Sequence, residues 1–299
     1  MMNIAFIINS RSPRAIGIEE KLKKHFGKNA VFMKTFAVGS AREFAVKCSF
    51  ARFTHVIAVG GDGTLNEVVD GLMSTGNDAD ALPIVSILPC GTGNDFARTI
   101  GIENNIDALL ERTKNGLVSY VDVGTVEFRD ELRHPSQRFF INVMDIGLGG
   151  RIAQKVNAYR RKPWSFLAYQ RAILSTLPFY RKVNLEVSAG KLHHSGPTLS
   201  VVVANGKWFG NGLGIAPHAQ TNDGQLALVI LGRVGMLEYL LNLPKILRGK
   251  IIHHNEVIYG HSVFVDIDGD STAIELDGEY VGQSPCSVRV CARAIRFLH

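Results

Sequence analysis

Between Thr54 and Leu72 the chain runs through three short passages that together admit few backbones. Thr54-His55-Val56-Ile57-Ala58-Val59 is apolar and β-branched. Gly60-Gly61-Asp62-Gly63 places three glycines and one aspartate in four residues. Leu65, Val68, Val69 and Leu72 then recur at helical spacing. The order is strand, glycine turn, helix. Such a turn lets backbone approach a ligand closely, and the helix start aims free N–H groups at it. The dipole contributes only about 0.3–1 kcal/mol, so the glycines supply shape and another group must supply chemistry. No Gly-Lys-Ser/Thr follows and G-x-G-x-x-G is not met, which excludes a P-loop and a dinucleotide fingerprint. An aspartate repels phosphate unless a cation lies between them. Asp62 therefore points to a Mg-nucleotide or proton-handling role, the alternative being an acid that bonds its own turn.

The first 125 or so residues continue this alternation. Asn3–Ser10 reads as a strand. Ser12-Pro13 is expected to cap and start a helix carrying Ile18, Leu22 and Phe26. Val31–Phe36 is strand-like, and Ser40-Ala41-Arg42-Glu43 reads as a capping box opening the next helix. Pro83–Leu88 is another strand, followed by Pro89-Cys90-Gly91-Thr92-Gly93-Asn94-Asp95 and helix-like Phe96-Ala97-Arg98. The expectation is an open, mostly parallel α/β layer. Ligands sit beyond the carboxyl ends of such strands, where Asn9–Arg14, Gly60–Thr64 and Gly91–Asp95 can line one crevice.

From Val118 the grammar changes. Strand patterns follow one another at Val118–Phe128, Arg138–Met144, Val183–Ser188, Leu199–Ala204, Leu226–Leu231, Glu256–Ile267, Ala273–Leu276 and Ser287–Cys291. Asn211-Gly212, Asp223-Gly224, Asp268-Gly269 and Asp277-Gly278 mark turns between them. This predicts an antiparallel sandwich or split barrel, with the domain boundary between Tyr120 and Arg133. Arg151–Lys182 and Met236–Leu247, the latter broken at Pro244, read as helices that cover the sandwich. The first is basic and aromatic enough to lie at a membrane surface. The pairs His193-His194 and His253-His254 read as loop residues.

A chain of 299 residues with 46% hydrophobic and 20% charged content suits a two-domain globular protein. The apolar runs are too short to span a bilayer. The first residues read as a strand and not as a signal peptide, and Cys48, Cys90, Cys286 and Cys291 have no metal spacing. A cytoplasmic location is expected. The charge of +6 is too modest to require a nucleic-acid partner. It suits an anionic membrane surface, at about 1 kcal/mol per well-placed Lys or Arg.

Gly60-Gly61-Asp62-Gly63-Thr64-Leu65-Asn66-Glu67 and Leu88-Pro89-Cys90-Gly91-Thr92-Gly93-Asn94-Asp95-Phe96-Ala97-Arg98 resemble the diacylglycerol kinase catalytic domain. More widely, they resemble the lipid kinases that include sphingosine kinases and bacterial phosphatidylglycerol kinases. The similarity continues in order through Tyr120–Gly124, Phe140-Ile141-Asn142, Ala204-Asn205-Gly206, Gly210–Ala219, Asn222–Leu226 and Asp277-Gly278-Glu279. The resemblance implies a nucleotide domain similar to NAD kinases and phosphofructokinases over residues 1–125. A β-sandwich lipid domain would span 126–290, with 291–299 returning to the first domain. It implies ATP- and magnesium-dependent phosphorylation of a lipid hydroxyl, most simply diacylglycerol to phosphatidic acid. Peripheral contact with the inner face of the membrane follows, and a homodimer is left open.

The resemblance also distributes roles. Gly60, Gly61, Asp62, Gly63, Thr64, Leu65 and Asn66 would line the nucleotide phosphates with Thr92, and Asn9, Ser10 and Thr35 match further nucleotide positions. Relatives carry Asn-Pro, a small residue and Gly-Lys in the first loop, where this chain has Asn9-Ser10-Arg11-Ser12-Pro13-Arg14. Arg11 or Arg14 would supply the positive charge. Glu279 is the expected general base, with Asp62 its rival or a magnesium ligand, and Asp95 an essential acid. Asp223 with the carbonyls of Gln220 and Gln225 would hold a second, structural Mg²⁺, and Asp122 would join that network. The acyl chain is expected among Phe139–Leu148, Trp164–Tyr180 and Trp208-Phe209. The competing readings are NAD kinase, which shares the Gly-Gly-Asp-Gly turn, and a non-catalytic nucleotide- or lipid-binding protein.

Overall fold

The structure is a computed structural model that describes residues 3–27, 30–158, 175–176 and 179–299. The N-terminal half alternates β1 (Ile4–Ile8), α1 (Ile18–Phe26), β2 (Ala30–Lys34), α2 (Ser40–Phe50), β3 (His55–Gly60), α3 (Asp62–Met73), β4 (Ile84–Pro89), α4 (Asp95–Thr99) and α5 (Ile106–Asn115). The four strands are parallel, in the order β4-β3-β1-β2. Every residue of β1 and β3 is buried, because helices cover both faces. The loops after β1, β3 and β4 consequently emerge at one edge.

Two local expectations differ from the fold. Ser12-Pro13 opens only a 3₁₀ turn, Pro13–Ala15, and α1 begins after left-handed Gly17. The Ser40…Glu43 box does not form. Gly39, at φ 85°, caps α2, and the N–H groups of Gly39 and Ala41 donate to Glu67 of α3, both at 3.0 Å. The neighbouring helix thus does what the local box was expected to do.

The second half contains β5 (Val118–Arg129), β6 (Pro135–Phe140), β7 (Val143–Gly147), α6 (Leu148–Ala158), β8 (Val183–Ala189), β9 (Leu192–Thr198), β10 (Ser200–Ala204), β11 (Leu226–Leu231), α7 (Met236–Ile246), β12 (Val257–Ser262), β13 (Phe264–Gly269), β14 (Ala273–Leu276) and β15 (Glu279–Leu298). One layer runs β12-β11-β10-β7-β14. The other is built on β5, β15, β13 and β8. Val201, Val203, Leu228 and Ile230 face the core between them. Their neighbours Val202, Ala204, Val229 and Leu231 face outward into a second core beneath α7. Strands buried on both faces lose polar alternation, which is why β10 and β11 read as continuous apolar runs.

Several strand bounds change. Arg138–Met144 divides into β6 and β7, and Glu256–Ile267 into β12 and β13. β15 is twenty residues long, and β9 takes His193 and His194 out of the loop expected for them. α7 continues through Pro244, which sits in its last turn. Most of Arg151–Lys182 lies outside the described residues. β5 and β15 run antiparallel through both halves. Val121, Val123, Ile295 and Phe297 belong to the N-terminal core, and Val126, Phe128 and Val288 to the sandwich core. The end of β15 pairs in parallel with β4 at Phe297↔Val85.

Candidate active site

The two glycine turns meet at the edge of the parallel sheet. β3 and β4 are in register at Gly60↔Pro89, and Cys90 N–H donates to the Gly60 carbonyl at 2.7 Å. A Cβ on Gly91 would lie 2.3 Å from Gly61 Cα, and one on Gly60 would lie 2.4 Å from Thr64 Oγ1. Gly61 and Gly91 meet backbone to backbone, whereas at Gly60 the Thr64 side chain leaves no room for a Cβ. Gly63, by contrast, faces open space. The first loop closes the same edge. Asn9 Nδ2 donates to Thr64 Oγ1 at 3.2 Å, Ser10 Oγ to the Thr35 carbonyl, and Arg14 to the Gly91 carbonyl at 2.7 Å. Of the two arginines left open by the sequence, Arg14 is the one tied to the second turn. Thr92 is exposed beside it.

Asp62 does not bond its own turn alone. Its carboxylate accepts the N–H groups of Asp95 and Phe96, at 3.0 and 2.9 Å, and so caps α4 from the first residue of α3. Asp95 is buried, and its side chain reaches across to Asn211 N–H at 2.8 Å and Arg98 at 3.5 Å. A Cβ on Gly93 would stand 3.1 Å from Asp62 and 3.2 Å from Asp95. Burial raises the pKa of both acids. Asp95 is pushed up to about 7, first by burial and then by the charge of Asp62. Two oxygen donors whose negative charge is poorly solvated suit a hard divalent cation.

Helix α3 carries the connection to the second half. Asp62, Asn66 and Asp70 recur at i, i+4 and i+8, hence on one face. Asn66 is buried with its side chain between two acceptors, Asp277 Oδ2 at 2.9 Å and the Phe139 carbonyl at 3.2 Å, so its amide group donates to both. Asp70 accepts Phe139 N–H at 2.9 Å and pairs with Arg42 at 2.7 Å and Arg138 at 3.0 Å. Arg138 in turn lies 3.6 Å from Glu279. Asp62 and Asn66 were named from the sequence, but Asp70 and Arg138 were not. Polar residues at helical spacing opposite Leu65, Val68 and Leu72 were the available signal.

Glu279 opens β15 directly after a turn in which Asp277 (φ 47°) and Gly278 (φ 90°) are left-handed. Such a turn favours glycine and tolerates aspartate. Asp277 is buried, and its carboxylate accepts the N–H groups of Ile141, Asn142 and Val143 at 3.1, 3.3 and 2.7 Å. Burial pushes its pKa up to about 7, against the opposing pull of Val143 N–H. The turn that presents Glu279 is therefore stapled to the β6–β7 junction and to α3.

The loop expected to hold the second metal is placed by Asp122, which is fully buried. Its carboxylate accepts Gly224 N–H and Arg293 N–H, both at 2.7 Å, and its own N–H donates to the Thr221 carbonyl at 2.7 Å. Asp223 is exposed and accepts Gln225 N–H at 3.0 Å, and Gln220 and Gln225 are exposed on either side. Among the described residues no three His, Cys, Asp or Glu side chains converge on a metal position. One carboxylate with carbonyls needs no such group.

Under α7 a small cavity of about 30 Å³ is lined by Leu148, Phe209, Leu213, Tyr239, Ser200 and Asp145 and could admit about one water. Leu148 and Phe209 were among the expected lipid residues. Trp208 instead packs on Gly249 and Arg98, and Trp164 lies outside the described residues. Asp145 was not expected. Ser200 donates to it, and burial pushes its pKa up to about 7.

Comparison with known proteins places the family and the fold. Residues 3–126 match the diacylglycerol kinase catalytic domain, and residues 142–299 match the YegS C-terminal NAD kinase beta sandwich-like domain. The chain belongs to the YegS/diacylglycerol kinase family. A diacylglycerol kinase of Bacillus subtilis (strain 168) is 29% identical over 253 residues, covering 84% of this chain and 79% of the relative. The "Probable lipid kinase YegS" of Shigella flexneri is 27% identical over 293 residues, covering 97% and 93%. The crystal structure of a diacylglycerol kinase from Bacillus anthracis str. Sterne superposes with a TM-score of 0.72 at 18% identity, covering 99% of this chain and 96% of that one. That likeness shows the fold: an α/β N-terminal domain followed by a β-sandwich-like domain. Both glycine turns of the family member lie in its first domain, and Glu279 arrives from its second.

Proposed function

We propose that the chain is an ATP- and Mg²⁺-dependent lipid kinase that phosphorylates a lipid hydroxyl, with diacylglycerol as acceptor and phosphatidic acid as product. One observation carries the reading. The touching Gly60–Thr64 and Gly91–Asp95 turns, with Asp62 and Asp95 between them, are joined through Asn66 and Asp277 to the turn that presents Glu279. Phosphoryl transfer needs positioned phosphates, neutralised charge and an acceptor for the hydroxyl proton, and little else.

The residues divide those tasks. Backbone at Gly60, Gly61, Gly63 and Gly91 makes room for phosphates, with Asn9, Ser10, Thr35, Thr64, Leu65, Asn66 and Thr92 around it. Asp62 and Asp95 are the oxygen donors for the catalytic Mg²⁺, which when bound neutralises charge on the transferring group. Glu279 takes the proton of the lipid hydroxyl. Arg138, held by Asp70, orients that carboxylate. Asp223, with the Gln220 and Gln225 carbonyls, holds a second, structural Mg²⁺ on the loop that Asp122 anchors. The acyl chain lies in the second domain near the cavity beneath α7, with the protein at the inner face of the membrane.

The test is phosphate transfer from γ-labelled ATP to a panel of diacylglycerol, sphingosine, ceramide and phosphatidylglycerol in mixed micelles, with NAD as a water-soluble control. Labelled phosphatidic acid is expected. Label in NAD alone contradicts lipid phosphorylation, and label in another lipid moves the acceptor without moving the chemistry.

A further inference from the structure

Helix α7 has two unlike faces. Tyr239, Leu240, Leu243 and Ile246 point inward, against Leu231, Val234 and Ile252, and Tyr239 also walls the cavity that holds Asp145 and Ser200. The outward stripe is Leu237, Leu241 and Pro244, at helical spacing i, i+4 and i+7, with Arg248 just past the helix end. Leu237 and Leu241 are 67% and 69% exposed, and the chain beyond the helix adds exposed Leu247 and Ile251. Isolated surface leucines need no explanation, but three leucines and an isoleucine exposed within one fifteen-residue stretch form a patch.

The charges around that patch are mostly positive, with Glu238 the exposed acid on the helix. Arg233, Lys245, Arg248 and Lys250 are exposed. The chain has no Asp or Glu from Tyr239 to Asn255. The one acid of α7, Glu238, is turned back to accept Gly235 N–H at 2.6 Å and to face His254 at 3.5 Å. Lys182 from the preceding segment lies near enough to help hold the Glu238 pKa down, after the Gly235 N–H and His254. Exposed Phe179 stands three residues before it.

We infer that the outer face of α7, with the Leu247–Ile251 segment, docks on an anionic lipid bilayer. The leucines would enter the acyl boundary, and the cations would sit at headgroup level on their apolar stems. A second copy of the chain is the poorer occupant. A symmetric contact on this face would set like charges against one another, whereas anionic headgroups complement them. The inference rests on the lipid-kinase reading for its purpose. A bilayer on this face puts a membrane-resident acceptor one helix away from the cavity beneath Tyr239.

The experiment is flotation of the full chain, without ATP, with phosphatidylcholine vesicles with and without phosphatidylglycerol. The unaltered chain is expected to bind the anionic vesicles and to release in high salt. Lys245→Glu/Arg248→Glu/Lys250→Glu should weaken binding on the order of a hundredfold or more at low salt. Leu237→Ser/Leu241→Ser should weaken it by about tenfold or more at any salt. Both variants should keep the unaltered melting temperature and turnover of a dispersed short-chain acceptor. The inference is overturned if the unaltered chain fails to bind, if the variants bind as it does, or if they lose only self-association. Vesicle binding without phosphorylation of any lipid supports the docking face while removing the kinase reading. Short-chain turnover without vesicle binding does the reverse.

Discussion

The edge that carries the two glycine turns and the small cavity beneath α7 are built in opposite ways. At the edge, backbone meets backbone. Gly61 and Gly91 approach so closely that a single added carbon would collide, and Asp62 caps α4, the helix that follows the next strand. The parts come as short contiguous strings on loops of one parallel sheet. The cavity has no string. Asp145, Ser200, Phe209 and Tyr239 come from separate segments and meet because β7, β10 and α7 stack. Backbone constraints leave glycines in fixed order, whereas a cavity asks only for apolar volume, which many side chains supply.

The comparison can be broken at four points. The largest expected effect on stability is at the staple between the halves. Asp277→Ala leaves three buried N–H groups unpaired and should cost on the order of 3–5 kcal/mol in urea unfolding. A loss under about 1 kcal/mol would show that the turn does not depend on it. Next is the cavity acid. Asp145 has its pKa pushed up to about 7 by burial, against about 3.9 in the unfolded chain. Between those values the folded state keeps a proton that the unfolded state releases, so stability falls as pH rises from about 4 to 7. Asp145→Asn should flatten that slope and stabilise the protein at pH 8 by on the order of 2–4 kcal/mol. An unchanged slope contradicts a buried, neutral Asp145.

Gly91→Ala should destabilise by about 1–3 kcal/mol through overpacking and weaken nucleotide binding in calorimetry. Gly63→Ala, with open space around it, should be neutral or stabilising by up to about 1 kcal/mol within a helix. Equal effects at the two glycines would remove the close-approach argument. The smallest effect is expected at the exposed Asp223. Asp223→Ala should raise the magnesium concentration needed for half-maximal turnover with little change at saturation, and an unchanged magnesium titration removes the second metal.

Much of the edge was legible because its constraints are local. The strand–turn–helix order around Gly60, the second turn at Gly91 and the change of grammar after Val118 follow from periodicity and glycine placement. What was not legible is tertiary. Glu67 caps α2 from another helix, where Ser40…Glu43 offered a local alternative that the left-handed Gly39 displaced. His193 and His194 read as loop residues, yet they lie in β9, which pairs with β8 across its length despite Gly196 and Pro197. Asp70 and Arg138 act across 68 residues of sequence, and only packing brings them to Glu279. Asp145 sat inside an expected apolar passage and drew no notice, because nothing in the sequence says that a lone acid there will be buried against Ser200.

The central claim is that chemistry happens where Glu279, carried by the second domain, meets the glycine turns of the first. Single-turnover transfer from ATP to diacylglycerol by Glu279→Gln, measured alongside ATP affinity, tests it most directly. The expected result is a rate reduced by about 100–10,000-fold with ATP binding nearly intact. A rate within about tenfold of the unaltered protein would mean that the proton goes elsewhere, and that the two domains do not complete one site at Glu279.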